Sequence, residues 1–318
     1  MRSLVLELHL SLLRSVAAGN KLKLLSFLSK AECFALGFFV HFMISVNPQE
    51  LNLIATLFSG QMFRWQLDEE GWCMGAVGEH VLRLRQQERL VEFTGADESF
   101  VRSFLRLDDL SLTEQARRWC ALDPLFAKAW EGQSGLRILR QDPQECFFSF
   151  LCASVAPIAR IRKMLEAVCD EATGNPFGPF PTLDQLLTLR ESRLRERGLG
   201  FRAERVVLAA RKLAEKPESW LESLRGRPLV EIEAELTQFP GIGRKIADCI
   251  ALFSLDADSV VPVDTHIWRI TKTHYAPELS ALSLTPANYE RASAAFQRKF
   301  GPYAGWAQQT LFYQQAVK

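Results

Sequence analysis

The chain lacks most of the features that would set it apart from an ordinary folded protein. Its seven cysteines, at positions 33, 73, 120, 146, 152, 169 and 249, form no CxxC pair and show no metal-ligand spacing. Seven is odd, so a complete set of internal disulfides is excluded, and reduced thiols in a reducing compartment are expected. Charge of one sign is not in excess: 38 Lys and Arg stand against 37 Asp and Glu, a net +1. A nucleic-acid partner would therefore have to meet locally concentrated positive charge. There is no Ser- or Gly-rich linker, no tandem repeat and no low-complexity tract, which argues against a disordered or fibrous chain. What remains is 48% hydrophobic and 24% charged over 318 residues. That is ordinary for globular proteins and long enough for about two domains at roughly 150 residues each.

Long apolar runs are also missing. Residues 33–46 are fourteen positions without a formal charge, short of the ~20 needed to cross a membrane. Lys30 and Glu32 separate them from the apolar residues upstream. A signal peptide would place its apolar core nearer Met1 and end in small residues. An amphipathic tail, a membrane-surface anchor and a segment upstream of the true start codon remain as readings of residues 1–46. The last is favoured, with Met43 as the start, and the protein is expected not to be secreted.

Beyond this extension the pattern changes twice. Residues 51–95 read as strands with tight turns: 62–66, a polar turn at Asp68-Glu69-Glu70-Gly71, 72–77, a turn at Gly78-Glu79, the period-two alternation of 81–85, and 90–93. Phe63 and Trp65 are expected in the core beneath that sheet. After about Asp97 the spacing becomes helical, as in Phe100, Val101, Phe104 and Leu105, and again in Phe147, Phe148, Leu151 and Cys152. The expectation is an α+β chain: an extension over 1–46, an antiparallel sheet portion over 47–97 and a helical body over 98–318.

Residues 231–255 carry the most information. A helix over 231–237 meets Phe239-Pro240-Gly241-Ile242-Gly243-Arg244-Lys245, and a second helix follows through Ile246, Ile250, Phe253 and Leu255. Gly241 and Gly243 permit the tight turn and a close approach by another molecule. The turn stands at a helix N-terminus, where free N–H groups and the dipole favour a phosphate. This helix–hairpin–helix suits the DNA backbone, met without regard to base sequence. A nucleotide-binding P-loop is excluded, because its GxxxxGK[ST] spacing and preceding strand are absent. Nineteen residues beyond Lys245 lies Asp264, after Val261-Pro262-Val263, where a helix N-cap would hold its carboxylate. Alone, Lys245 would be a surface lysine and Asp264 a helix cap. Together, beside a DNA-binding hairpin, they suggest an amine that attacks a sugar carbon and a carboxylate that steadies the developing positive charge.

At these residues the chain resembles the helix–hairpin–helix DNA glycosylases, and within them the 8-oxoguanine DNA glycosylase/AP lyases. The likeness runs from about residue 50 to the C-terminus. It rests on Gly60-Gln61-Met62-Phe63-Arg64-Trp65, Arg140-Gln141-Asp142-Pro143, Gly198-Leu199-Gly200-Phe201-Arg202-Ala203, the hairpin with Val-Pro-Val-Asp, and Gly301-Pro302-Tyr303-Ala304-Gly305-Trp306-Ala307-Gln308. The resemblance implies excision of 8-oxoguanine, and of related oxidised purines, from duplex DNA through a Lys245 Schiff base, followed by β-elimination. Asp264 would stabilise the oxocarbenium charge. The base would be flipped between Cys249 and Phe312, read by Gln308 on its Watson–Crick edge and by the Gly60 carbonyl at N7. His266 would hold a phosphate, Arg160 and Arg202 would contact the orphaned cytosine, and Phe201 would be a wedge.

Three features depart from or qualify that pattern. Val155-Ala156-Pro157 stands where the family shows three asparagines, and Glu204 replaces an expected basic residue; both bear on opposite-base preference. Seven Lys and Arg against two Glu between 193 and 212 would supply local positive charge. No cysteine follows Cys249, so no iron–sulfur cluster and no other cofactor or metal is expected. The implied partner is damaged duplex DNA, met by a monomer, in the nucleoid of a bacterium or the nucleus of a eukaryote. A catalytically inactive DNA-binding module and a glycosylase for another damaged base are the alternatives.

Overall fold

The computed structural model describes residues 42–316. The readings made of residues 1–41 lie outside the described residues. A five-stranded antiparallel sheet comes first, ordered β1-β5-β4-β3-β2. Its strands are β1 (Phe42–Ser45), β2 (Gln66–Leu67), β3 (Cys73–Val77), β4 (His80–Gln87) and β5 (Leu90–Thr94). A short helix, α1 (Leu53–Leu57), lies between β1 and β2. The sheet thus begins at Phe42, ahead of the expected boundary at residue 47, with Phe42 paired to Phe93.

The alternation read over residues 81–85 is observed. Leu82 and Leu84 are buried in the sheet's core, while the guanidinium groups of Arg83 and Arg85 lie 4.9 and 4.4 Å from the Trp72 ring. Residues 62–66 do not form the expected strand; only Gln66 is paired. Met62, Phe63, Arg64 and Trp65 are all buried, so the segment has no solvent face to give it period two. It passes between two cores. Trp65 packs in the sheet's core against Phe104, whereas Phe63 packs in the helical core against Phe150, not beneath the sheet.

The helical part comprises α2 (Glu98–Phe104), α3 (Leu112–Leu122), α4 (Pro124–Gly132), α5 (Pro143–Cys152), α6 (Ile158–Thr173), α7 (Leu183–Leu187), α8 (Glu191–Glu196), α9 (Arg202–Ala214), α10 (Trp220–Ser223), α11 (Leu229–Leu236), α12 (Arg244–Ser254), α13 (Thr265–Ile270), α14 (Pro286–Phe300) and α15 (Ala304–Ala316). The sheet's core recruits Val101, Phe104, Leu105 and Leu139, so it draws on both sides of the expected boundary at 97. Helix α5 is buried at every residue but Gln144, Glu145 included. A helix buried on nearly all faces belongs in the middle of a body, and α12 and α9 pack on it. This central packing holds α12, and with it the start of the second hairpin helix, rigidly in place.

Candidate active site

The expected hairpin is present. Helix α11 ends at Leu236, the chain turns, and α12 begins at Arg244. Gly241 has φ +87°, a conformation that favours glycine, and a Cβ there would lie 2.5 Å from Arg205 Cδ and push that side chain aside. Gly243 is the N-cap of α12 and supplies no side chain to cap it. Its first N–H groups therefore face outward, into a groove of about 1210 Å³. Gly241, Gly243, Arg205, Arg244, Lys245, Asp264 and His266 all line that groove.

A narrow cavity of about 50 Å³ adjoins it and shares Gly60, Phe150, Lys245, Asp264 and Phe312 with it. Lys245 stands in the first turn of α12, half-buried, with Nζ 5.7 Å from the centre of the Phe150 ring. Asp264 caps α13, its Oδ1 accepting the Ile267 N–H at 2.8 Å. The Val-Pro-Val stretch ahead of it is buried, which fixes where that cap falls. Cys249, one turn after Lys245, also lines the cavity. Burial pushes its thiol up to about 11 against the opposing influence of Lys245, so it presents a neutral, polarizable wall.

Helix α15 contributes the other side. Gln308 is 3% exposed and its Oε1 has no hydrogen-bond partner among the described residues. A buried amide oxygen without a donor is costly, and this one belongs to the cavity lining. Phe312 is half-buried and meets the His266 ring edge-on at 5.9 Å. Gly60 has φ +83°, and a Cβ on it would lie 3.2 Å from Ile158 Cδ1 and 3.6 Å from Phe312 Cε1.

Three glutamines hold the Gly60 turn, and the sequence offered no signal for their roles. Gln61 is fully buried; its Nε2 donates to the Thr56 and Arg137 carbonyls at 2.9 and 2.8 Å, and its Oε1 accepts the Leu139 N–H at 2.9 Å. Gln141 Nε2 donates to the Gln61 carbonyl at 2.7 Å, and Gln309 Nε2 to the Ser59 carbonyl at 3.1 Å. Gln309 follows Gln308 on α15, so one helix both lines the cavity and fastens its opposite wall.

The residues expected at the orphaned base are arranged less simply. Arg160 is exposed, while Arg202 is 2% exposed and donates to the Ser154 and Val155 carbonyls. Burial and the nearby Arg160 lower the Arg202 pKa. Phe201 is exposed, its ring 4.3 and 4.7 Å from the Arg202 and Arg205 guanidinium carbons. Val155 is 92% exposed with φ +53°, a conformation a β-branched residue rarely adopts. The basic run over 193–212 does not supply the expected charge throughout. Arg193 and Arg197 pair with Glu171, Arg197 also with Asp170, and Arg195 with Glu191. Glu204 stands 3.9 Å from Arg195. The groove is lined by Arg205, Arg244 and Lys245, of which Arg244 is paired with Glu233, Asp248 and Glu290.

An uncapped hairpin helix beside a cavity lined by a lysine and a carboxylate fits one class: a helix–hairpin–helix DNA repair protein. Two family models match in tandem. Residues 43–147 match the 8-oxoguanine DNA glycosylase N-terminal domain, and residues 148–287 match the HhH-GPD superfamily base excision DNA repair protein. The chain is 38% identical to the N-glycosylase/DNA lyase OGG1 of Arabidopsis thaliana, over 85% of this chain and 79% of that one. It is 30% identical to the N-glycosylase/DNA lyase of Saccharomyces cerevisiae, over 85% of this chain and 84% of the relative. Its fold matches the Clostridium acetobutylicum 8-oxoguanine glycosylase/lyase, solved with DNA carrying cytosine opposite 8-oxoguanine, with a TM-score of 0.73 at 29% identity, over 83% of this chain and 91% of that one. This chain belongs to the 8-oxoguanine DNA glycosylase family of the HhH-GPD superfamily. Among the described residues no group of three or more His, Cys, Asp or Glu could hold a metal ion, and no helix is long and apolar enough to cross a membrane.

Proposed function

We propose that the protein excises 8-oxoguanine from duplex DNA and then cleaves the strand at the abasic site it has made. The observation that carries this reading is one cavity lined by both Lys245 and Asp264, opening beside the uncapped start of α12. The hairpin amides take a backbone phosphate, and the damaged nucleotide turns out of the stack toward the cavity. The Lys245 amine attacks C1′ as the bond to the base breaks, and the bonding pair leaves with the base. The Asp264 carboxylate stabilises the positive charge that builds on the sugar. Opening of the sugar ring gives a Schiff base between Lys245 and C1′. Loss of a C2′ proton then expels the 3′ phosphate, which is the strand cleavage.

Cys249 and Phe312 sandwich the base, the unpartnered Gln308 Oε1 accepts from its Watson–Crick edge, and the Gly60 carbonyl accepts the N7 hydrogen. His266 contributes to phosphate binding. The scheme uses the chain's own side chains and backbone groups, with no cofactor, and places the enzyme wherever the cell keeps its duplex DNA, nucleoid or nucleus. Borohydride trapping on a duplex with one 8-oxoguanine tests it, with Lys245→Gln as control. A covalent protein–DNA band that vanishes in the control is expected. A band with a plain abasic site alone would discard the oxidised-guanine assignment. No band with either would indicate a DNA-binding module without chemistry.

A further inference from the structure

Outside the cavity, a buried polar connection joins the two stretches of chain that carry Lys245 and Asp264. Tyr289, on α14, is 6% exposed. Its hydroxyl accepts the Val263 N–H at 3.0 Å and donates to Asp248 Oδ2 at 2.6 Å. Val263 immediately precedes Asp264, and Asp248 lies three residues after Lys245 on the same helix. Asp248 is fully buried, and its Oδ1 accepts Arg244 Nε at 3.0 Å. Arg244 immediately precedes Lys245; it also reaches Glu233 of α11 at 2.8 Å and Glu290 of α14. The residues just ahead of each member of the pair are thus tied to one carboxylate, one of them through one hydroxyl.

Such a cluster is an expensive way to fill space. A buried charge needs near-complete satisfaction, and apolar residues of similar volume commonly serve stability as well or better. What a hydrogen-bonded cluster adds is direction: each bond fixes one backbone segment against another within tenths of an ångström. We infer that Tyr289 and Asp248 are positioning residues, a strut that sets the Asp264 segment at its working distance from the Lys245 helix. This rests on the reading of Lys245 and Asp264 as the catalytic pair.

Tyr289→Phe tests it, because the ring and its packing against Arg244, 5.7 Å from the guanidinium carbon, are kept while the hydroxyl is lost. A misplacement of about 1 Å can cost ~10²-fold in rate, so loss of one anchor should slow single-turnover 8-oxoguanine excision by roughly tenfold. DNA affinity should stay within about twofold, since hairpin phosphate contacts do not pass through Tyr289. Asp248→Asn should behave alike, and the double variant should be no slower than the slower single one, as expected of groups acting through one connection. Should Tyr289→Phe be unfolded at the assay temperature, Asp248→Asn carries the test. Excision at the wild-type rate would overturn the strut, as would losses of rate and affinity that simply follow the folded fraction. If wild-type protein shows neither excision nor trapping, the catalytic reading falls first and the strut with it.

Discussion

Asp264 has two roles that substitution can separate. As N-cap of α13 it accepts the Ile267 N–H at 2.8 Å, and as a carboxylate it lines the cavity with Lys245. Asparagine caps about as well as aspartate, whereas alanine at an N-cap costs about 1 kcal/mol. Asp264→Asn should therefore melt with the wild type, and Asp264→Ala about 2–4 °C lower. The chemistry responds differently. Removing one oriented group that meets developing charge in a dry site costs roughly 10²–10³ in rate, about 2.7–4 kcal/mol. Both variants should thus lose about a hundredfold or more in single-turnover excision, although only alanine loses stability. Lesion duplexes followed by gel, with differential scanning fluorimetry on the same samples, give both readouts. Lys245 remains in each variant, so both should still form a trappable Schiff base on a preformed abasic site. Wild-type excision by Asp264→Asn would refute the assignment and leave Asp264 a helix cap and nothing more.

Three further outcomes are expected. Gly241→Ala puts a Cβ 2.5 Å from Arg205 Cδ at a backbone φ of +87°; a free hairpin that relaxes to escape the ~1–2 kcal/mol of left-handed strain must regain it on binding, so the duplex Kd should rise roughly tenfold, and an unchanged anisotropy titration would remove that turn geometry from the DNA contact. Val155→Asn places a residue suited to φ +53° at an exposed rim position; it should raise the melting temperature and sharpen preference for cytosine opposite the lesion in four-duplex excision rates, and the idea fails if neither moves. Glu145 is pushed up to about 7 by burial, which outweighs Arg64 at 3.2 Å. Its folded state therefore holds a proton that the unfolded chain releases near pH 4.5, so wild-type stability is lost as pH rises from about 4.5 to 7. The melting difference between Glu145→Gln and wild type should shift toward the variant over that window, and a constant difference would exclude the shift.

Legibility from sequence depended on whether a residue's surroundings lie close along the chain. The hairpin was readable because Pro240, Gly241 and Gly243 interrupt two periodic segments, and Asp264 because a buried Val-Pro-Val stretch ends where its cap must begin. The α+β division was readable from the change of period near residue 97. Residues 62–66 misled, since a segment buried on both sides carries β-rich composition without alternation. The charge over 193–212 misled for the opposite reason: Asp170 and Glu171, which pair with Arg193 and Arg197, stand on α6, a different helix. The Gln61, Gln141 and Gln309 clamp left no trace, because a glutamine that bonds distant carbonyls looks like one that faces water.

The cavity also sets a condition on what can react in it. At about 50 Å³ it has room for one or two waters at roughly 30 Å³ each, so a two-ring base enters only if a wall gives way. Cys249, Phe253 and Gln308 are buried in the body, and moving them would open packing on several sides. Phe312 is half-buried, near the end of α15, and rests against His266, so of the three aromatic walls, with Phe150 and Phe253 buried, it is the one most easily displaced. A base that displaces it, damaged or normal, bears that cost. On the proposed reading, oxidised guanine would offset that cost with an N7 hydrogen for the Gly60 carbonyl and donors for the unpartnered Gln308 Oε1, whereas normal guanine brings no N7 hydrogen. Because His266 touches Phe312 and also lines the groove, a phosphate drawn to His266 would shift the same contact. Backbone binding and pocket opening are then coupled, and a ligand that engages only one should gain less than the sum of both.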